Sequence, residues 1–89
     1  ETRHGRPVYF TLALDVLDPS VFPGTGTPEA GGVTFDQLRE AAQLVCSRAD
    51  VIACDVNELS PPYDPSGISA MAACKIVREM LLAFPEKER

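Results

Sequence analysis

Two short apolar segments that end near acidic residues constrain the fold of this 89-residue chain more than any other feature. The first, PVYFTLAL, is rich in β-branched and aromatic residues and carries no charge before Asp15. The second, VIACDV, contains one acid near its end and leads to Glu58. Apolar runs of this length are typical of strands that are covered on both faces. We therefore predict strands over residues 7–15 and 51–57.

A loop dense in helix-breaking residues separates the first strand from a helix. Residues 16–33 hold three prolines and four glycines, and this density excludes a helix there. After it, Thr34 and Gln37 have the spacing of a capping box, in which each side chain bonds to the backbone of the other residue. Apolar residues at helical intervals follow, so we predict an amphipathic helix over residues 34–48.

The second strand is followed by a similar loop and a second helix. The stretch SPPYDPSG predicts a loop over residues 58–66. The apolar residues after it cover much of a helix circumference. We therefore predict a well-buried helix over residues 67–84, which Pro85 ends.

The order strand, helix, strand, helix indicates an α/β fold built on a right-handed parallel βαβ unit. Parallel sheets are covered by helices on both faces and contain more than two strands. Because this sequence supplies two strands and two helices, we expect it to be one part of a larger α/β domain. The first residue is Glu1 rather than Met. This agrees with a processed chain, a trimmed chain or a fragment.

Composition narrows the range of functions. The net charge of −5 and the lack of a Lys/Arg cluster argue against nucleic-acid binding and mildly favour cationic ligands. We expect no membrane span, because no apolar run approaches about 20 residues, and no signal peptide. The odd cysteine count without a CxxC pair predicts buried free thiols in a reducing, cytoplasmic compartment. The cysteines are Cys46, Cys54 and Cys74.

Carboxylates mark the expected binding edge of the sheet, because ligands in open parallel sheets gather beyond the carboxyl ends of the strands. Asp15 and Asp18 follow the first strand and Glu58 follows the second, so these acids converge if the strands are neighbours. A divalent cation or a cationic substrate would neutralise such a cluster. For Asp18 we favour a role as a turn cap before a proline. For Asp15, capping of loop amides stays the alternative to a functional role.

The glycine-rich stretch GTGTPEAGG and the single histidine give weaker signals. The stretch has no Walker lysine, and no helix begins directly after GTG, so turn formation explains its glycines better than a phosphate site does. His4 lies among charged residues before the first strand, and we predict a surface position for it. One terminal histidine cannot complete a Ser–His–Asp or Cys–His set, so nucleophilic catalysis of that kind is unsupported.

The stretches LALDVLDPSVFPGTGTPEAGG and DVNELSPPYD together resemble the ureohydrolases. This family comprises arginases, agmatinases and formiminoglutamases, which are manganese enzymes that hydrolyse guanidino groups. PGTGTPE with SPPYD is closer to the agmatinase branch. The resemblance covers nearly the whole chain and implies the C-terminal β-α-β-α part of a three-layer αβα parallel-sheet, arginase-like fold. It also implies a cytoplasmic, oligomeric hydrolase of polyamine biosynthesis that binds neither nucleic acid nor membrane.

The same resemblance implies roles for individual residues. The family's strand ends in a D-x-D pair that binds two Mn²⁺ ions. Asp15 matches the second member, which binds one ion, whereas Ala13 stands in the place of the first, which bridges both. Glu58 matches the glutamate that holds the substrate guanidinium, and Thr27 matches a threonine that lines that pocket. The family's other ligands have no counterpart in this sequence, so the remainder of a ureohydrolase chain is the partner expected to supply them.

The chemistry expected from the resemblance is hydrolysis by a metal-activated water. A manganese pair would lower the pKa of a bridging water, and the resulting hydroxide would attack the guanidinium carbon to give urea and an amine. Agmatine, which would give putrescine, is the first substrate candidate. Alanine offers no oxygen to a metal, so we expect the centre to be weakened or absent with Ala13. We expect the 89-residue chain alone to be inactive.

Three functions stay open at this point. The sequence is part of an agmatinase-like hydrolase, or part of a catalytically dead relative that serves as a structural or regulatory subunit. Ala13 favours the second of these. The third is a βαβ interaction module without chemistry, whose uncovered strand edges would drive assembly.

Overall fold

The computed structural model describes residues 6–85, and His4 therefore lies outside the described residues. Two strands and two helices alternate along the chain. In chain order they are β1 (Pro7–Ala13), α1 (Phe35–Arg48), β2 (Asp50–Asn57) and α2 (Ile68–Ala83). Short 3₁₀ turns lie in the two connections that follow the strands, at Leu14–Val16 and Pro61–Tyr63. The loop from residue 17 to residue 34 carries no other helix or strand.

The parallel pairing of β1 with β2 decides where the loops emerge. Pro7 pairs with Asp50 at one end and Ala13 pairs with Asn57 at the other, with one irregularity between Val8 and Tyr9. The two strands therefore end at the same level. The segments that follow Ala13 and Asn57 leave from one edge of the sheet, where loops of parallel α/β proteins commonly bind ligands.

β1 ends two residues earlier than the prediction of a strand over residues 7–15. Leu14 and Leu17 are both fully buried in the core, at 0% and 1% exposure. Residues three apart lie on the same side of a helical turn but on opposite faces of a strand. The 3₁₀ turn therefore buries both leucines, closed by the bond from Leu17 N to Leu14 O at 3.0 Å. As a consequence, Asp15 lies in this turn and not in the strand.

The predicted capping box at the start of α1 is confirmed. The Gln37 amide donates to Thr34 Oγ1 at 3.1 Å, and the Thr34 amide donates to Gln37 Oε1 at 2.9 Å. Leu38, Ala42 and Cys46, spaced by four residues, form the buried stripe of the helix. This stripe orients α1 against the sheet and α2.

The hydrophobic core lies between the two helices and one face of the sheet, so residues 6–85 supply the cover for only one of the two strand faces predicted to be covered. Phe10 and Leu12 of β1 and Val56 of β2 pack in this core. Tyr9 and Thr11 alternate with them and point to the opposite face. Tyr9 is 60% exposed there. Both helices lie over the same face, which leaves the other without a covering layer within residues 6–85.

Within residues 6–85, α2 is not well buried, contrary to the prediction. Its buried residues form one stripe, consisting of Ser69, Ala73, Ile76 and Met80. Met71 and Leu82 are more than 70% exposed. With a two-stranded sheet and one neighbouring helix, only one side of α2 has packing partners among the described residues. Neither helix within residues 6–85 combines the length and the apolar character that crossing a bilayer requires.

Three buried thiols were expected, but only one of the cysteines is buried. Cys46 lies in the core stripe of α1, and burial raises the pKa of its thiol. Cys54 is exposed on β2, which has no strand on its outer side within residues 6–85. Cys74 is exposed because it lies outside the buried stripe of α2.

Gly32 allows the loop after β1 to close against the 3₁₀ turn. A Cβ at this position would lie 2.5 Å from Val16 O, and the adjacent Val33 amide donates to that oxygen at 2.9 Å. We predict that Gly32→Ala lowers the free energy of unfolding by about 2 kcal/mol, because backbone must move. Thermal unfolding followed by far-ultraviolet circular dichroism measures this.

Gly26→Ala is the matched control, because a Cβ at Gly26 would meet only Tyr63 Cε2, at 3.9 Å. We expect its unfolding free energy to change by no more than about 0.5 kcal/mol. Equal effects of the two substitutions would contradict the close approach at Gly32.

Candidate functional site

The structure brings Asp15 and Thr27 together beyond the end of β1. Asp15 is half-buried in the 3₁₀ turn, and the Thr27 hydroxyl donates to its Oδ2 at 2.9 Å. Thr27 lies on the long loop, so this bond holds the loop over the carboxyl end of the strand. The alternative that Asp15 caps loop amides is not what the structure shows, because its hydrogen bond comes from a side-chain hydroxyl.

Asp18 shapes the loop that carries Thr27. Its carboxylate accepts hydrogen bonds from the amides of Ser20 at 3.0 Å, Gly31 at 3.0 Å and Gly32 at 3.2 Å, and from the Ser20 hydroxyl. These bonds, the one from the Ser20 hydroxyl above all, lower the pKa of Asp18 to about 2. The predicted role of Asp18 as a turn cap is confirmed. The amides of Gly31 and Gly32 are already occupied by this carboxylate, which supports a turn rather than a phosphate cradle.

A shallow cavity lies between Asp15 and the far end of this loop. Its volume is about 370 Å³, and it is lined by Asp15, Val16, Thr27 and residues 29–32. Two of the lining side chains, those of Asp15 and Glu29, are carboxylates. The cavity is therefore polar and acidic at the edge where both strands end, which suits a small cationic ligand.

Glu58 lies at the same edge of the sheet, directly after the end of β2. It is exposed and directly follows Asn57, the partner of Ala13 across the sheet. Its φ of 77° is a left-handed conformation that costs a non-glycine residue about 1–3 kcal/mol. Within residues 6–85 its carboxylate makes no hydrogen bond, and Glu58 does not line the cavity that Asp15 and Thr27 share.

Ala13 lies on the open face of the sheet beside a polar cluster. The carboxylate of Asp55 accepts hydrogen bonds from the Tyr9 hydroxyl, from Thr11 Oγ1 at 3.4 Å and from Asn57 Nδ2 at 2.9 Å. The bond from Tyr9 is the main cause of a lowered pKa of Asp55, and it raises the pKa of Tyr9. Ala13 shares this face by strand alternation, but its methyl group adds no donor or acceptor.

Sequence reasoning recognised Asp55 as an acid but missed this cluster. The signal that could have found it is the two-residue spacing of Asp55 and Asn57, matched by the two-residue spacing of Tyr9 and Thr11 on the other strand. In a parallel pair, both sets lie on one face when their registers align.

The described residues do not by themselves fit a metal centre. Within residues 6–85, no group of three or more His, Cys, Asp or Glu side chains is placed to hold an ion. Asp15 supplies one carboxylate at the edge, and Ala13 supplies none. The donor set within residues 6–85 is therefore too small for a two-metal site.

Comparison with known proteins identifies the family to which this arrangement belongs. The sequence pattern described as "Arginase family" matches residues 1–83. The chain belongs to the arginase family. Among its family members, the agmatinase of Halalkalibacterium halodurans is 51% identical over 81 residues, which cover 90% of this chain and 28% of that protein. The mouse protein named "Guanidino acid hydrolase, mitochondrial" is 46% identical over 82 residues, covering 92% of this chain and 23% of that protein.

Comparison with solved structures confirms the fold class. The proclavaminate amidino hydrolase of Streptomyces clavuligerus superimposes with a TM-score of 0.84 at 37% identity, covering 91% of this chain and 27% of that one. The α/β prediction and the resemblance to agmatinases are thereby confirmed. The chain spans about a quarter of the length of the arginase-family proteins that it matches.

The lowered pKa of Asp18 makes the loop sensitive to acid. A carboxylate with a depressed folded-state pKa stabilises the fold above its unfolded value of about 3.9, and this stabilisation is lost as the pH falls. For Asp18 the loss occurs between about pH 4 and its folded-state pKa of about 2. We predict that Asp18→Asn lowers the thermal midpoint at neutral pH and removes part of the further decrease between these pH values.

Asp50→Asn is the matched control for this measurement. Asp50 is exposed at the start of β2, and its carboxylate makes no hydrogen bond within residues 6–85. Thermal midpoints recorded across the acid range should follow those of the unmodified protein. An Asp18→Asn protein with the unmodified midpoint at neutral pH and the unmodified acid response would contradict the turn-capping role.

Proposed function

We propose that this chain works as part of a longer agmatinase-type hydrolase, which converts agmatine and water to putrescine and urea. The observation that carries the proposal is the arginase-family match over residues 1–83. The name of the bacterial relative at 51% identity supports agmatine as the substrate. The coverage of about a quarter of each relative supports a longer polypeptide, called the complete polypeptide below.

The acidic edge supports a cationic guanidino substrate. Glu58 is proposed to hold the guanidinium, because a carboxylate and a guanidinium can meet through two parallel hydrogen bonds. Its exposed carboxylate has no partner within residues 6–85, so it is available for such a bond. Thr27 is proposed to line the pocket, since its hydroxyl already fixes the loop to Asp15 at 2.9 Å.

Asp15 is the one metal ligand that we propose on this chain, with Mn²⁺ as the ion. The other ligands would come from the remainder of the complete polypeptide. Ala13 stands in the place of a bridging carboxylate, so the ions would lack one of the charges that hold them together. Loss of a group that only orients a metal ligand costs about 10–100-fold in metal affinity or activity, and loss of a ligand should cost more.

A catalytically dead relative is the second candidate, and Ala13 is the observation that favours it. The fold does not need a carboxylate at this position: Ala13 keeps extended backbone geometry and pairs with Asn57 in register. A protein with this substitution can therefore keep its edge, its loops and its assembly while losing the metal. Such a protein would bind a guanidino compound without hydrolysing it.

Calorimetric binding of agmatine to the complete polypeptide tests the proposal through Glu58. We predict that Glu58→Gln weakens agmatine binding on the order of tenfold, because the neutral amide loses the charge-assisted pair with the guanidinium. Agmatine should also bind more tightly than 4-guanidinobutanoate, whose negative end faces an acidic edge.

Glu40→Gln is the matched control, because Glu40 is exposed on α1, outside the acidic edge. Its dissociation constant for agmatine should equal that of the unmodified protein. Equal weakening by both substitutions would show a general charge effect and would contradict the role of Glu58. Preference for 4-guanidinobutanoate would instead favour a guanidino acid as the substrate.

A further inference from the structure

Gly24 joins the two loops that leave the binding edge. Its amide donates to Ser69 Oγ at 2.8 Å, and its carbonyl accepts from the Ser60 amide at 2.6 Å. Ser60 and Ser69 both belong to the segment after β2, whereas Gly24 belongs to the loop after β1. Both polar backbone groups of one residue thus bond across the gap between the loops.

The hydroxyl of Ser69 is oriented by a buried carboxylate. Ser69 Oγ donates to Asp64 Oδ2 at 2.6 Å, and the Ser69 amide donates to the same oxygen at 2.8 Å. A serine hydroxyl has one hydrogen, and because it is given to Asp64, a lone pair of Oγ faces the Gly24 amide. Ser69 is 1% exposed and Asp64 is 8% exposed, so water does not compete for these bonds.

The two loops approach each other closely at Gly24. A Cβ on Gly24 would lie 2.8 Å from Ser69 Cβ, closer than real Cβ atoms come, and 3.0 Å from Asp64 Cβ, which is also a tight contact. There is no room at this point for any side chain. The loops are therefore held together by packing as well as by the chain of hydrogen bonds Asp64–Ser69–Gly24, which is called the relay below.

The bonds of Gly24 to Ser69 and Ser60 connect the two residues that are proposed to meet the substrate. Three residues after Gly24 comes Thr27, whose hydroxyl bonds to Asp15 at 2.9 Å. Two residues before Ser60 comes Glu58, whose φ of 77° must be maintained by its surroundings. A shift of Gly24 relative to Ser60 would change the distance between Thr27 and Glu58.

We propose that Ser69, oriented by Asp64, is a positioning residue that fixes the Thr27 loop against the Glu58 loop for binding of a guanidino substrate. The assignment to substrate binding rests on the proposed function. Ser69 touches no substrate in this assignment and acts only through Gly24. A misplacement of about 1 Å in a binding group can cost on the order of a hundredfold in rate, so such a tie has consequences at the site.

Hydrogen–deuterium exchange and agmatine calorimetry on the complete polypeptide test this proposal. In Ser69→Ala, the buried Gly24 amide loses its acceptor. We expect exchange in the peptide spanning residues 22–29 to accelerate on the order of tenfold, and the dissociation constant for agmatine to rise by a similar factor. Exchange in α1 should be unchanged. Ser69→Cys keeps a polar atom at the γ position, but its sulfur is larger than oxygen and a weak acceptor, so an intermediate effect is expected, and it is the variant measured if Ser69→Ala does not fold.

Ser47→Ala is the matched control. Ser47 lies on α1, where its hydroxyl donates to the Leu44 carbonyl at 3.2 Å and makes no bond to Asp64, Ser69 or Gly24. The exchange rate at residues 22–29 and the dissociation constant for agmatine should both stay within about twofold of the values for the unmodified protein. This change is smaller than the one that the loss of one net hydrogen bond causes.

The two readouts separate the possible failures. Unchanged exchange at residues 22–29 in both Ser69 variants would overturn the relay. Accelerated exchange with unchanged agmatine affinity would overturn the positioning role. If the unmodified polypeptide binds no agmatine, the proposed function fails and the assignment to substrate binding falls with it, while the exchange measurement still decides whether Ser69 couples the loops.

Discussion

The parallel register of β1 and β2 is the constraint on which the rest of the structure depends. Because Ala13 pairs with Asn57, both strands end at one level and send their loops over the same edge. A shift of one residue would reverse which side chains face the helices and would separate the loops. The register is maintained from the core side by Phe10, Leu12 and Val56. The acidic edge is thus a consequence of hydrophobic packing several residues away.

Short-range patterns in the sequence were sufficient to predict the elements and their order. Thr34 and Gln37 specify the start of α1 through contacts three residues apart, and Asp18 caps its turn with neighbours in the same loop. Burial was predicted less well, because it depends on which layers are present. An apolar α2 has no partner for Met71 or Leu82 within residues 6–85. The relay through Ser69 escaped sequence reasoning because it joins residues 45 positions apart.

The strand and the proposed metal site require different properties of the residue at position 13. The strand requires only a residue that tolerates extended backbone, and alanine meets this at no cost in packing. A metal site at the same position would require an oxygen. The loops around it are held by hydrogen bonds, among them those of Thr27 with Asp15 and of Gly24 with Ser69. The edge therefore keeps its hydrogen-bonded loops whether or not position 13 carries an oxygen, so the fold alone does not require the metal ligand that we propose is missing there.

The most direct test of this account is urea release from agmatine by the complete polypeptide, with and without Ala13→Asp, after purification in the presence of manganese. Ala13→Asn is the control, because the asparagine side chain is similar in volume to that of aspartate but uncharged. We predict that the aspartate raises both bound manganese and the rate of urea release, by on the order of a hundredfold or more, whereas the asparagine changes neither substantially. An Ala13→Asp protein with the manganese content and the rate of the unmodified protein would contradict the account.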